Sequence, residues 1–284
     1  MKNTTDELLQ EEMSGFDLPR VPGGEKVDMS RFSLVFADEF NGEKVDYSIW
    51  SSENGIGTTT VRHGSYWNTD MAVIKDGHLH IQIKYLPNGY NGNGKPGWYT
   101  AQLTTQESFA QCCGYFECRC ILPKGYGLWS AFWLFCRGVH QVGNEGKDGT
   151  EIDVFESPYY FRRDAWHNAV SSNLHYDGYG EAHRSVNVCT SLLLENDPYE
   201  NFNTYAVEWS EKEYTFYING VKAASSSFGG ISEVPQWLLL SVEIGGENAV
   251  PGESAWAGPS VETDPGAVTD FIVDYVRAYQ YKES

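Results

Sequence analysis

The stretch TEIDVFES, residues 150–157, packs three acids, Glu151, Asp153 and Glu156, into six residues. A β-strand turns alternate side chains to one face. Glu151 and Asp153 therefore agree, while Glu156 falls on the opposite face of a regular strand. A one-residue β-bulge between Asp153 and Glu156 restores the agreement. Val154 and Phe155 then share the bulge, and at least one of them turns into a core.

Three acids on one face have a chemical consequence. Like charges brought close oppose one another's ionisation, so at least one pKa rises. A protonated carboxyl beside an ionised one is the pair that cleaves a glycosidic bond. The outer Cα atoms lie roughly 13 Å apart on a flat strand, at ~3.3 Å per ladder unit. A retaining glycosidase holds its carboxyls about 5–5.5 Å apart. The side chains must therefore lean together over a concave sheet. An exposed polar strand face or a cation site has the same spacing.

Around this stretch the period is two. HLHIQIKY (78–85) alternates Leu79, Ile81, Ile83 and Tyr85 with polar residues. GYFECRCIL (114–122) does the same with Phe116, Cys118, Cys120 and Leu122. LWSAFWLF (128–135) puts Trp129, Ala131 and Trp133 on one side and Phe132 and Leu134 on the other. EYTFYING (213–220) ends on Asn219-Gly220, a type I′ hairpin signal. PQWLLLSVEIGG and TDFIVDYVRAYQY add two more strands. No long segment has helical period, apart from a short candidate helix over Asp6–Met13. Many short strands and glycine turns predict an antiparallel two-sheet sandwich. Aromatics on both faces of a strand call for a ligand groove on the face away from the core.

The 284 residues suffice for one all-β domain over 31–284, preceded by a polar N-terminal arm over 1–30. The formal charge of −19 excludes a nucleic-acid partner and an anionic membrane surface. It favours a neutral substrate, and it also serves solubility. There is no apolar run of membrane-spanning length. The opening residues MKNTTDELLQEEM have no apolar core of a signal peptide, which leaves the compartment open. The six cysteines, at 112, 113, 118, 120, 136 and 189, show no CxxC spacing. Cys118 and Cys120, roughly 6.6 Å apart along a strand, read as small core hydrophobes.

GYFECRCILPKGYGLWSAFWLF followed by GTEIDVFES resembles the signature region of glycoside hydrolase family 16, in its bulged, laminarinase-like form. VFADEFNG, WNTDMAVIKDGHLHI, QWLLLSVEIGG and DFIVDYVRAYQY are similar to other blocks of that family, in the same order, over roughly 33–282. The resemblance implies a concanavalin-like β-jelly-roll sandwich of two curved antiparallel sheets, with a cleft on the concave face. It implies an endo-acting, retaining β-glycanase that needs no cofactor, in a family whose members are usually exported; a monomer acting on a neutral polysaccharide or oligosaccharide is expected.

Carried onto this chain, the resemblance makes Glu151 the nucleophile, Glu156 the general acid/base and Asp153 their assistant. Trp133 becomes the floor under the sugar beside the scissile bond, extended by Trp129. His175 lies near the chemistry. Arg62, Tyr66, Trp67 and Asn68 line one end of the cleft, and Trp256 the loop after EIGG. Core packing for the tryptophans and a structural role for His175 fit the same residues. A structural Ca²⁺ is implied by analogy at Asp274, with Gly77 as a carbonyl ligand. Glu243 departs from the family pattern; sharing a face with Trp237 and Ser241, it adds a carboxylate if that face is the cleft. The loop ENAVPGESAWAG also departs. The expected substrate is β-1,3- or mixed β-1,3/1,4-glucan, with an endo-β-galactanase as the alternative. The negative charge leans against sulfated galactans, although Arg62, Arg137, Arg162 and Arg163 offset it locally. A non-catalytic carbohydrate-binding sandwich and a transglycosylase are the other readings.

Overall fold

The computed structural model describes residues 24–159, 170–191, 196–245, 257 and 268–283. The candidate helix over Asp6–Met13, Trp256, Arg162 and Arg163 lie outside the described residues.

Two antiparallel sheets carry the described chain. The back sheet has eight strands. They run in the order Val221–Ser226, Tyr214–Ile218, Asn203–Trp209, Gly114–Ile121, Phe271–Tyr281, His78–Ile81 and Ala72–Lys75, with Phe32–Asp38 also paired to the closing strand Phe271–Tyr281. The front sheet has seven. Its order is Arg184–Ser191, Val170–Tyr176, Glu151–Pro158, Leu128–Phe135, Gln236–Ile244 and Gln102–Thr104, with Ala110–Gln111 also on Gln236–Ile244. A smaller four-stranded sheet joins Thr60–Arg62, Ser65–Trp67, Gly97–Thr100 and Lys84–Leu86. Helical turns among the described residues are 3-10 turns of three or four residues.

Alternation decides what each sheet hides. Phe116, Cys118, Cys120, Val207, Val273 and Val276 of the back sheet pack against Phe132, Leu134, Ile152, Leu174, Leu238, Leu240 and Val242 of the front sheet, in one core. Full burial of each large side chain is worth about 1.5–3 kcal/mol. Cys118 and Cys120 belong to this core as free thiols. Asn219 and Gly220 both take positive φ, 50° and 74°, as a type I′ turn requires. The run HLHIQIKY divides where one strand was expected. His78–Ile81 stays in the back sheet, Gln82 bonds its N–H to Met71 O, and Lys84–Leu86 crosses to the small sheet. The final part of the N-terminal arm is tied down: Lys26 bridges to Val221, and Arg31 forms a bidentate pair with Glu208 at 2.8 and 2.7 Å.

The acid strand Glu151–Pro158 is bulged. Opposite Leu128–Phe135, the register runs Phe132 to Phe155 and then Trp133 to Asp153, passing over Val154. Opposite Val170–Tyr176, Asp153 faces Asn173 and Glu156 faces Ser171. Ser172 Oγ donates to Val154 O at 2.9 Å across the irregularity. Val154 and Phe155 are both buried, and the Phe155 ring packs 4.5 Å from Tyr205. The core thus holds the extra residue in place, which turns Glu156 to the face of Glu151 and Asp153.

Candidate active site

On the open face of the front sheet, Glu151 stands opposite His175, Asp153 between Trp133 and Asn173, and Glu156 between Ala131 and Ser171. Asp153 and Glu156 are buried, with Glu151 half-buried. Burial, with the Asp153 charge beside it, pushes the Glu151 carboxyl up to about 8. Burial also lifts Asp153 to about 8, against a hydrogen bond with Glu156 that draws it down. Glu156 is raised well above the usual carboxylate range by burial and by the charges of Asp153 and Glu151. Burial and the like charges of its members thus make the trio hold protons more tightly than ordinary carboxyls do.

Each member is held from the side. Glu156 Oε1 accepts from Trp129 Nε1 at 2.9 Å, and its Oε2 from Asn173 Nδ2 at 2.5 Å. Asn187 Nδ2 donates to Asn173 Oδ1 at 2.8 Å, which fixes the Asn173 amide orientation. His175 Nε2 lies 3.3 Å from Asp153 Oδ2, and its Nδ1 lies 2.9 Å from His183 Nε2, with the two rings stacked at 7°. Glu151 Oε2 accepts a hydrogen bond from Tyr179 Oη. Trp133 is half-buried with its ring toward the acids' face, and its Nε1 donates to Ser241 Oγ at 3.1 Å.

The other end of this face differs from expectation. Glu243 does share the acids' face, but it is no free carboxylate. Arg62 Nη2 and Nε approach its Oε1 at 2.7 and 3.0 Å, and His63 Nε2 its Oε2 at 2.5 Å. The His63 ring stacks over Trp129 at 5.8 Å. Trp67 and Asn68 are buried and engaged by the fold. Trp67 is buried, gives its Nε1–H to Val242 O at 2.7 Å and lies under the Arg62 guanidinium at 5.0 Å. Asn68 is buried, accepts from Asp70 N at 2.9 Å and donates to Thr59 Oγ1 at 2.9 Å and Gly57 O at 3.3 Å. Tyr66 stacks on Tyr99 at 4.9 Å.

The calcium site implied at Asp274 does not fit the residues present. The Asp274 carboxylate pairs with Arg119 and lies 3.5 Å from His78 Nε2. A hard cation asks for six to eight oxygens, and here cationic and nitrogen-bearing side chains meet the acid. Gly77, with φ of 77°, makes the turn before His78. Glu151, Asp153 and His175 offer ligand atoms within 4.8 Å of one another.

Residues 33–281 match the family model described as "Beta-porphyranase A-D, GH16 domain". The chain belongs to glycoside hydrolase family 16. Among curated relatives of this family-16 chain, Endo-1,3-1,4-beta-glycanase ExsH of Rhizobium meliloti (strain 1021) is 28% identical, over 89% of this chain and 53% of its own. A Beta-glucanase of Rhodothermus marinus is 25% identical, over 92% and 90%. The catalytic domain of an endo-1,3-beta-glucanase (laminarinase) from Thermotoga petrophila RKU-1 superposes with a TM-score of 0.65 at 24% identity, covering 89% of this chain and 99% of that one. It shares the jelly-roll fold. The chain spans about half the length of the first curated relatives it matches, 53% in each case.

Of the residues singled out in the sequence, the structure brings the three acids, Trp133, Trp129 and His175 together on one face. Sequence reading missed Tyr179, His183 and His63, which lie in loops outside any strand period, and Asn187, whose partner is a strand away.

Proposed function

We propose that this family-16 domain is an endo-acting, retaining β-glycanase. Glu151, ionised, attacks the anomeric carbon while Glu156 delivers its proton to the departing glycosidic oxygen. The C–O bond to the leaving sugar breaks as the Glu151 ester bond forms. Glu156, now ionised, takes a proton from water, and that water displaces Glu151 from the anomeric carbon with a second inversion. Asp153 stands between Glu151 and Glu156 on the same face and raises the pKa of both. Trp133 offers an aromatic face to the apolar face of a pyranose.

The observation carrying this reading is the bulge at Val154, which sets Glu151, Asp153 and Glu156 on one open face with raised pKa values. The preferred substrate is β-1,3- or mixed β-1,3/1,4-glucan, supported by the glucanase and laminarinase relatives. An endo-β-galactanase is the second reading, favoured by the porphyranase description of the matching family model. The test is reducing-end release from laminarin, lichenan, agarose and galactan, with Glu151→Gln as control. Cleavage of laminarin or lichenan supports the first reading, and cleavage of only the galactans the second. Turnover by Glu151→Gln removes Glu151 as nucleophile. No cleavage of any polysaccharide leaves a carbohydrate-binding sandwich.

A further inference from the structure

We propose that Tyr179 is a positioning residue for the reaction of this domain: its hydroxyl holds one oxygen of Glu151 and leaves the other to attack. The inference rests on the retaining reading and assigns a role to a loop that the acid motif does not contain.

Position carries it. Tyr179 belongs to the connection after Val170–Tyr176, and its residue surface is 51% exposed. A loop tyrosine with that exposure is free to keep its hydroxyl in water. Here the hydroxyl turns inward and donates to Glu151 Oε2. The ring lies between the His140 and His183 rings at 5.6 and 5.5 Å. The loop below is pinned: Gly178 N–H bonds Val139 O at 2.7 Å, and Gly143 N–H bonds Asp177 Oδ1 at 3.0 Å. Asp177 and Gly178 both take positive φ, 61° and 72°, so the chain reverses just before Tyr179 and aims it back over the acid strand.

The chemistry follows from where charge sits. A donor to the ionised form favours that form. Glu151 is faced by Asp153 and Glu156 on its own strand and by Glu243 from Gln236–Ile244, all opposing its ionisation when charged. His175, backed by His183, and Tyr179 favour it. Tyr179 itself faces His140, His183 and Arg62. When Glu151 attacks, one oxygen bonds to carbon and the other becomes the ester carbonyl. When water displaces it, the carboxylate re-forms and regains its full hydrogen bond. Tyr179 thus keeps the nucleophile ionised before the first step and stabilises it as the leaving group of the second.

The test is Tyr179→Phe in the full chain, read in two ways. In the substrate-free protein, carboxyl titration followed by ¹³C NMR, with Glu151→Gln to assign the signal, should move Glu151 to higher pH in the variant. With a cleavable polysaccharide, the acid limb of kcat/KM should move up in parallel, and kcat should fall about 10- to 100-fold, the range for one lost donor or somewhat below it. An unmoved Glu151 titration together with a wild-type acid limb and kcat overturns the role. Failure of the glycanase reading looks different: the wild-type chain then leaves every polysaccharide intact while the Glu151 shift persists.

Discussion

Trp129 Nε1 donates to Glu156 Oε1 at 2.9 Å. The residue expected to extend the sugar floor therefore also holds Glu156, the proposed general acid. Trp129 faces Pro158 on the acid strand and Glu243 on the other side, so its indole spans the gap between the acids and the Arg62–His63–Glu243 cluster. Trp129→Phe keeps most of the ring and removes the donor. We expect kcat on polymer to fall about 10-fold, near the ~1–1.5 kcal/mol of one hydrogen bond. An aryl glycoside whose leaving group needs no proton should lose less. Equal losses on both substrates would show that the bond to Glu156 does not serve proton delivery.

Asn173 donates to the other oxygen of Glu156 and is itself oriented by Asn187. A donor favours the ionised form, so its removal raises the Glu156 pKa further. The general acid works protonated, and activity is lost as pH rises through its pKa. Asn173→Ala should therefore move the basic limb of kcat/KM to higher pH. A basic limb that stays put or moves down would contradict this assignment.

On the proposed roles the acid limb belongs to Glu151, which is pushed up to about 8 by burial and by Asp153. Activity should fall as pH drops through that range, well above the roughly 4.3 of an unperturbed glutamate. A pH profile of kcat/KM, which reports the free enzyme, checks it. Full activity persisting to about pH 5 would contradict the raised nucleophile.

Removing Glu156 separates its two duties. Glu156→Ala should lose most activity on polymer, where the leaving group needs a proton. On a substrate with a good leaving group, azide should attack the glycosyl-enzyme and restore turnover, giving a β-glycosyl azide. Mass spectrometry without any azide-linked product would count against the acid/base role.

Glu243 is buried and bound by Arg62 and His63. Glu243→Gln leaves those partners without their charge complement. The half-exposed Arg62 can turn to water, which limits the loss. We expect a destabilisation of about 1–3 kcal/mol, measured by urea unfolding with unchanged slope. A change within 0.5 kcal/mol, the usual range of a surface substitution, would show that the clamp is incidental.

Legibility followed distance along the chain. The count Glu-Ile-Asp-Val-Phe-Glu announced a bulge because side-chain facing depends only on parity within one strand. The core faces of GYFECRCIL and LWSAFWLF were readable for the same reason. The burial of Trp67 and Asn68 was not readable, since it depends on what packs above them. Arg62 reaches Glu243 across 181 positions, and Arg119 reaches Asp274 across 155. No local pattern encodes such pairs. Asp274 could be recognised as an acid, but only its neighbours reveal that a guanidinium meets it.

By itself, then, the sequence determined the strands, their buried faces and the three acids that a single extra residue turns together, because steric alternation is a property of neighbouring residues. Tertiary structure alone decided how deeply those acids are buried, which side chains hold them, and that a loop tyrosine closes on Glu151. Desolvation and hydrogen bonding act through space, and the groups that supply them come from strands and loops far apart in the chain.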